Sequence, residues 1–492
     1  MKIVIAYPPL DSGKGVACLG QNRQFQWDNT PWLAYPMVPS SAATLLKSRG
    51  YDVAWLDGIA EGWSYAEFIN HLNEENPDLI LIETKTPVVK NHWTIINQLK
   101  ADYPKLKTVL VGDHVTALPE ESMNNSKVDY ILTGGDFDFL LLNLCRHLTN
   151  SEPLEAGIWS REQTADGQWQ IVNTGHFKLN HDLDSLPFID RDLTHWELYA
   201  YKNTNYRRKP GTYTMFGRDC WWGRCSFCSW TTLFPGQEHR TRSVKSALDE
   251  IGEIIDRYPV REVMDDSGTF PVGDWLRDFC RGMIERGYNK KIRLNGNMRF
   301  NAGLTEADYL LMGKAGFRFL LYGLESANQS TLDRINKNMK IEQIEPVLTW
   351  AKKAGLAPHI TVMVGYPWES EVEANKTLNL ARDLFRKGLV DTMQATVMIP
   401  YPGTPLFAEC DRNDWLRTKE WPRYDMREPI MKSPVTDERL TALTRSLYSS
   451  FLSPQFILRK LAEALRSPED FRYYCSLGVK LISKLKDFGL KI

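Results

Sequence analysis

Long apolar runs are missing from this 492-residue sequence, and no stretch approaches the roughly 18 residues that cross a bilayer. Excess charge is missing too. Lys and Arg number 60 against 61 Asp and Glu, so the chain lacks the electrostatic footprint of a general nucleic-acid binder, and no nucleic-acid partner is expected. The opening MKIVIAYPPLDSGKG has neither the basic leader nor the cleavage site of a signal peptide, which makes a cytoplasmic location the expectation. Cysteine is scarce, 8 in all, and this excludes a disulfide scaffold. What remains is a 43% hydrophobic composition, enough at this length for roughly two to four packed domains.

Residues 1–149 alternate short β-branched runs with amphipathic stretches. Strands are expected at Lys2–Tyr7, Asp52–Asp57, Leu79–Thr84, Thr108–Gly112 and Tyr130–Gly134, with helices near Ser40–Arg49, Tyr65–Glu75, His92–Ala101 and Phe137–Leu148. Apolar strands separated by helices predict a parallel sheet covered on both faces, here a doubly wound, flavodoxin-like (Rossmann-type) domain. Its ligand edge carries the loops Lys85–Asn91, Asp113–Pro119 and Gly135–Asp138, and the segment Asp11–Tyr35 begins at that edge as a lid. Residues 150–210 read as a linker with a small hairpin at Gly157–Val172. Over residues 211–407 the alternation resumes, with strands near Tyr213–Arg218, Glu262–Asp265, Lys291–Asn295, Phe317–Tyr322, His359–Val364 and Thr392–Ile399. Six βα units predict a (β/α)6 partial barrel with its chemistry at the carboxyl ends of the strands. Residues 408–492 form a helical C-terminal region, so the whole is of α/β class.

Three of the cysteines crowd into nine positions, in Arg218-Asp219-Cys220-Trp221-Trp222-Gly223-Arg224-Cys225-Ser226-Phe227-Cys228, while the other five stand alone. The crowded stretch follows the first barrel strand and so lies on the catalytic rim. Three thiolates hold three irons of a four-iron cluster and leave the fourth iron open to a non-protein ligand. The alternative is a structural zinc site completed by His239.

The triplet resembles the cluster loop of radical S-adenosylmethionine (SAM) enzymes, Cys-x3-Cys-x2-Cys with an aromatic residue before the last Cys, a place that Phe227 takes here. The first spacing in this chain is x4, and Gly223 is expected to absorb the extra residue as a local bulge. Gly323-Leu324-Glu325-Ser326 is similar to the family's Gly-x-Glu-Ser segment after the fourth strand, which contacts the ribose of SAM. Asn295-Gly296-Asn297-Met298-Arg299 resembles the segment after the third strand, and Met363-Val364-Gly365-Tyr366-Pro367 the Gly-Pro turn whose backbone passes the adenine. The resemblance implies a 4Fe-4S cluster on Cys220, Cys225 and Cys228, and SAM contacts from Phe227, Asn297, Arg299, Gly323, Glu325, Ser326 and Gly365. Each segment alone reads equally as a turn or a helix cap.

Residues 1–149 resemble the cobalamin-binding (B12-binding) domain that precedes the barrel in one branch of that family. The resemblance is carried by Tyr7-Pro8-Pro9, Val111–Pro119, Leu132-Thr133-Gly134-Gly135 and Leu183-Asp184-Ser185-Leu186-Pro187. It implies cobalamin contacts from Gly112, Asp113, His114, Thr116, Gly134 and Gly135, the glycines letting backbone approach a bulky ligand. The Asp-x-His-x-x-Gly of mutase-type proteins is absent, since none of the 9 His has an Asp two places before it. Cobalamin is therefore expected without a His on cobalt, with His114 a loop or tail contact and the lower face against Lys85–Lys90.

What the resemblance implies is an enzyme, a cobalamin-dependent radical SAM methyltransferase that methylates an unactivated carbon or a phosphinate through a 5'-deoxyadenosyl radical and methylcobalamin. Two other readings stay open: cyclisation or rearrangement of a tetrapyrrole or natural-product precursor without methyl transfer, and a zinc-stabilised binding module. The expected partners are a largely apolar small-molecule substrate, near Trp221, Trp222, Trp27 and Trp32, and an external electron donor such as flavodoxin or ferredoxin. Arg218, Arg224 and Arg299 are expected either to offset charge near the cluster or to form surface ion pairs. The tail Ile457–Ile492 holds eight Lys or Arg against four Asp or Glu, and Val479–Lys486 is amphipathic. Packing on the barrel is expected for it, with contact to an anionic membrane as the alternative.

Overall fold

The computed structural model describes residues 1–19, 26–29, 31–164, 166–203, 205–218, 220–235, 239–452, 454–465 and 467–487. Strands β1 (Lys2–Tyr7), β2 (Asp52–Asp57), β3 (Leu79–Glu83), β4 (Lys107–Val111) and β5 (Tyr130–Leu132) run parallel in the order β2-β1-β3-β4-β5. This is the doubly wound order expected from the sequence. Alternate residues of β1 serve different cores. Ile3 and Ile5 pack with the helices Met37–Ser48 and Phe137–Asn150, while Val4 and Ala6 pack with Tyr65–Glu75 and Val89–Asp102. Burial on both faces is why these strands read as unbroken apolar runs.

The hairpin of the linker forms as β6 (Ile158–Gln163) and β7 (Trp169–Asn173), but it is not free-standing: β6 adds antiparallel to β5 and widens the sheet to seven strands. The three-residue β5 would otherwise present an open edge.

The second sheet holds six parallel strands in sequence order, β8 (Gly211–Thr214), β9 (Glu262–Asp265), β10 (Arg293–Met298), β11 (Phe317–Glu325), β12 (Ala357–Val364) and β13 (Thr392–Val397). The first strand expected at Tyr213–Arg218 divides in two. After β8 ends at Thr214, Gly217–Arg218 turns away and pairs antiparallel with Arg240–Thr241. The end of β9 draws it off, because the Asp265 carboxylate accepts from the Phe216 amide at 2.8 Å and Ser267 Oγ from the Gly217 amide at 2.8 Å. The cysteine loop is thereby strung on a narrow neck.

Within the expected lid, Val16–Cys18 pairs with Gln26–Asp28, and Lys14 is tied to Asp425 at 2.6 Å; residues 20–25 and 30 lie outside the described residues. The C-terminal helix Asp437–Tyr448 packs on β13. Helices Pro454–Ala464 and Pro468–Asp487 cover the opposite end of the barrel, where Lys460 reaches Asp391 at 2.8 Å, Arg207 reaches Asp470 at 2.6 Å and Arg261 pairs with Glu469. The amphipathic side chains of Val479–Lys486 lie outside the described residues. No described helix is long and apolar enough to cross a membrane.

Candidate active site

The cysteine loop lies over the end of β9, where a Cβ on Gly268 would come within 3.1 Å of Cys220 Cβ. Cys220, Cys225 and Cys228 are all free thiols, close enough to feel one another's charge. Burial pushes the Cys228 thiol up to about 12 and raises Cys220 as well. Gly223 takes a left-handed φ of 58°, and the Gly223 and Trp222 amides turn toward Cys220, so the extra residue is accommodated as a bulge. Among the described residues no three His, Cys, Asp or Glu converge as a single metal ion requires, and His239 sits back at the neck against Gly217. A four-iron cluster, several Å across, keeps its thiolates further apart than a tetrahedral zinc does.

A clamp that the sequence reading missed grips this loop. Ile335 accepts the Ser226 amide at 3.0 Å, Asn336 Nδ2 donates to Arg224 O at 3.0 Å, and Trp222 Nε1 donates to Asn336 O at 2.7 Å. Lys337 stands between Asn336 and Asn338, both in left-handed backbone with φ of 53° and 50°. Asn tolerates that conformation, so Asn-Lys-Asn after a short helix was the available signal.

The three arginines part company. Arg299 Nη1 lies 3.5 Å from Cys225 Sγ, Nη2 donates to Lys337 O, and the guanidinium faces the Trp221 and Trp222 rings, 5.4 Å from each centroid. Arg224 is exposed over Trp222. Arg218 points instead across the domain boundary, to Asp138 through both nitrogens and to Asp136 at 3.5 Å.

The expected SAM-side residues also separate. Glu325, at φ 66°, is buried, with Oε1 accepting from Lys337 Nζ at 2.8 Å and Oε2 from Thr361 at 3.4 Å. At Gly323 the pair packs close to the backbone, where a Cβ would lie 2.1 Å from Glu325 Oε1 and 2.6 Å from Lys337 Nζ. The Phe227 ring faces Lys337 Nζ at 5.7 Å. Asn297 Nδ2 donates to Ser267 O at 2.8 Å, fixing the ends of β9 and β10 together. Gly365 turns at φ 90° beside Val397 and Leu440. Ser326 is set apart from these residues. Its hydroxyl donates to Glu369 at 2.8 Å, accepts from the Asn328 amide at 3.1 Å and has no exposed surface.

Several buried polar atoms at this rim have no partner: Thr214 Oγ1, Thr269 Oγ1, Trp221 Nε1, Trp230 Nε1 and the Tyr366 hydroxyl. Native folds rarely leave such atoms unsatisfied, and a bound polar group is the ordinary explanation. The rim therefore fits a cluster with a polar cofactor on it.

On the facing sheet the expected contacts are largely sewn into the protein. His114 is fully buried, with Nδ1 3.2 Å from Thr86 Oγ1 and Nε2 3.1 Å from Glu121, so both ring nitrogens are engaged within the protein. Asp113 pairs with buried Lys85 at 3.2 Å. Thr116 donates to Gly112 O at 2.8 Å and accepts from the Gly134 amide at 3.0 Å. The glycines are closely approached: a Cβ would lie 2.2 Å from Thr84 O at Gly112, 2.4 Å from the Phe177 ring at Gly134 and 2.1 Å from the Phe234 ring at Gly135. Unpartnered atoms on this side are Glu83 Oε1, at the end of β3, and His92 Nε2, behind the Lys85–Lys90 loop. Glu83 feels the charge of Asp266 on the barrel, and burial raises it above the usual carboxylate range.

The two edges are joined by a buried lock. Asp136 accepts from Arg240 at 2.7 and 3.0 Å and from His181 at 3.0 Å, with Arg218 and Asp138 completing the group. Burial alone would raise Asp136, but His181, Arg240 and Arg218 together hold it well below the carboxylate range. The Gly135 amide donates to Leu233 O at 2.9 Å, directly behind the cysteine loop.

Two parallel sheets with apposed carboxyl edges, one bearing a three-thiol loop, define an α/β enzyme built around cofactors. Residues 214–381 match the family model of the radical SAM superfamily, and residues 35–136 match the B12 binding domain model. It is 25% identical over 473 residues to an uncharacterized methyltransferase of Pyrococcus horikoshii, covering 94% of this chain and 95% of that one. It is also 25% identical over 464 residues to the anaerobic magnesium-protoporphyrin IX monomethyl ester cyclase of Rubrivivax gelatinosus, covering 93% and 78%. In fold it is similar to the radical S-adenosylmethionine methyltransferase TsrM from Kitasatospora setae, solved with cobalamin and a [4Fe-4S] cluster, at a TM-score of 0.67, 15% identity and coverage of 92% and 89%.

Proposed function

We propose that this protein is a cobalamin-dependent radical SAM methyltransferase that methylates a small molecule at an unactivated carbon or a phosphinate centre. The observation that carries this reading is the union in one chain of a three-thiol loop on a barrel rim and a facing B12-binding-type edge. When bound, the cluster and SAM supply one-electron cleavage and hydrogen abstraction, and cobalamin supplies the methyl group.

Cys220, Cys225 and Cys228 would hold three irons as thiolates, and burial raises the proton affinity of Cys220 and Cys228, so iron binding there would displace protons. Arg299 would steady the charge on Cys225, while Glu325, held by Lys337, and Asn297, held by Ser267 O, would help to hold SAM. Cobalamin would lie along the end of β3 and the Lys85–Lys90 loop, where Glu83 has an unpartnered oxygen, with no His on cobalt. The indoles of Trp221 and Trp222 exclude water from a largely apolar substrate. An external one-electron donor such as flavodoxin or ferredoxin completes the system.

The test is anaerobic reconstitution with iron, sulfide and cobalamin, followed by incubation with methyl-labelled SAM and extract of the source cells. Label in a small molecule, with 5'-deoxyadenosine and S-adenosylhomocysteine formed together, supports the reading. The cyclase relative favours ring formation as the second reading. It predicts 5'-deoxyadenosine, no S-adenosylhomocysteine and no gain of a methylene in the product.

A further inference from the structure

The helix Pro454–Ala464 is turned inside out. A helix on the surface of a globular protein normally sets its apolar stripe on the core and its charges in water. Here Lys460 and Ala464 are buried, Lys460 reaching Asp391 at 2.8 Å and Glu463 at 3.0 Å. The outer face is apolar instead: Ile457, Leu458, Leu461 and, just past the helix, Leu465 recur at helical spacing, with Leu458 67% and Leu465 81% exposed. The helix is anchored in this orientation, because Phe456 packs on Phe385 with ring centroids 4.6 Å apart. Phe471, on the helix that follows, is exposed as well. Single exposed apolar side chains are ordinary, but five of the ten large ones exposed among the described residues fall between Ile457 and Phe471, and such clustering marks a contact surface.

Charge decides what covers it. The acids of the two helices are paired inward, Glu463 with Lys460, Glu469 with Arg261 and Asp470 with Arg207. Apart from Lys460 and those three acids, the tail from Ile457 onward holds seven basic residues against Asp487 alone. A second copy set face to face would bring that basic charge against itself, whereas an anionic bilayer complements it and takes the leucines between its headgroups. We propose that the C-terminal helix pair docks this protein on an anionic membrane surface, with Ile457, Leu458, Leu461, Leu465 and Phe471 entering the headgroup layer. Because the pair covers the end of the barrel opposite the cysteine loop, the docked protein keeps that loop turned away from the bilayer. The docking is independent of the methyltransferase reading.

The test is co-sedimentation of full-length, anaerobically reconstituted protein with vesicles of phosphatidylcholine and phosphatidylglycerol in about equal parts, and with phosphatidylcholine alone, at about 0.1 M salt. Wild type should pellet with the anionic vesicles, less with the neutral ones, and be released as salt is raised. The combined variant Leu458→Glu, Leu461→Glu and Leu465→Glu should bind the anionic vesicles about tenfold more weakly or worse, with iron content and unfolding temperature at wild-type values. Leu465→Glu alone, at the most exposed position, should move the affinity the same way by less. Wild type that stays in the supernatant with anionic vesicles overturns the proposal, as does binding that survives the combined variant. Dimerisation that the same substitutions abolish, without vesicle binding, assigns the face to a second copy and overturns it too.

Discussion

The two facing edges use similar sequence features to different ends. At the barrel rim the expected residues converge and leave polar atoms unsatisfied, among them Tyr366, Thr214 and Thr269. At the opposite edge Gly112, Gly134 and Gly135 are each filled against by backbone or an aromatic ring, and His114 is bonded on both ring nitrogens. A glycine after a strand thus reports a close approach without saying what approaches. The unpartnered buried atom is a complementary marker, because a ligand or an ordered water relieves its cost. By that measure the second edge is marked at Glu83 and His92.

The comparison breaks most completely at the cysteines. Replacing Cys220, Cys225 and Cys228 together by Ala should take iron in reconstituted protein from about four per chain to near zero. Iron that survives would relocate the cluster and remove the chemical distinction of the rim.

The lock between the edges comes next. Asp138→Ala strands Arg218 in a buried site and should destabilise the protein by about 3–5 kcal/mol, read from denaturant midpoints. A loss within error would mean that Asp136 alone satisfies Arg218 and that the edges are held chiefly by apolar contact.

Gly135→Ala sharpens the difference between packing and ligand clearance. It should cost about 1–3 kcal/mol through collision with Phe234, and the cost should shrink in a Phe234→Ala background while cobalamin affinity stays near wild type. Cobalamin affinity lost in both backgrounds would restore the glycine as a ligand contact.

Acidic groups on the two sides should titrate in opposite senses. Burial pushes Asp265, at the end of β9, up to about 7, whereas Asp136 is held low by its cations. Between pH 4 and 7 the folded chain keeps a proton on Asp265 that the unfolded chain has released, so its contribution to stability falls as pH rises. Asp265→Asn should remove that decline, shifting the comparison in its favour by at most about 1.4 kcal/mol per pH unit. A pH-independent difference would show that Asp265 is already ionised. Asp136 behaves conversely: its contribution is present above the ordinary carboxylate pKa and is lost only as pH falls toward strong acid.

The sequence by itself determined the doubly wound first domain, the six-stranded barrel and the cysteine loop, because each is written in local order. Apolar runs set strands that are buried on both faces, and three thiols within nine positions cannot be far apart in space. Even the extra residue between Cys220 and Cys225 was legible, since Gly223 can take the φ that absorbs it. The tertiary structure alone decided what each side chain faces. Arg218, Arg224 and Arg299 are indistinguishable as neighbours of a cluster in sequence, yet one locks the domains, one is exposed and one lies on a cysteine sulfur. Ser326 follows Glu325 directly and still points into another network, because adjacent residues at a strand end project to opposite sides. Lys337, Asp136 and Asp138 act through partners 12 to 104 positions away, and no local pattern encodes a pairing that only the fold brings together.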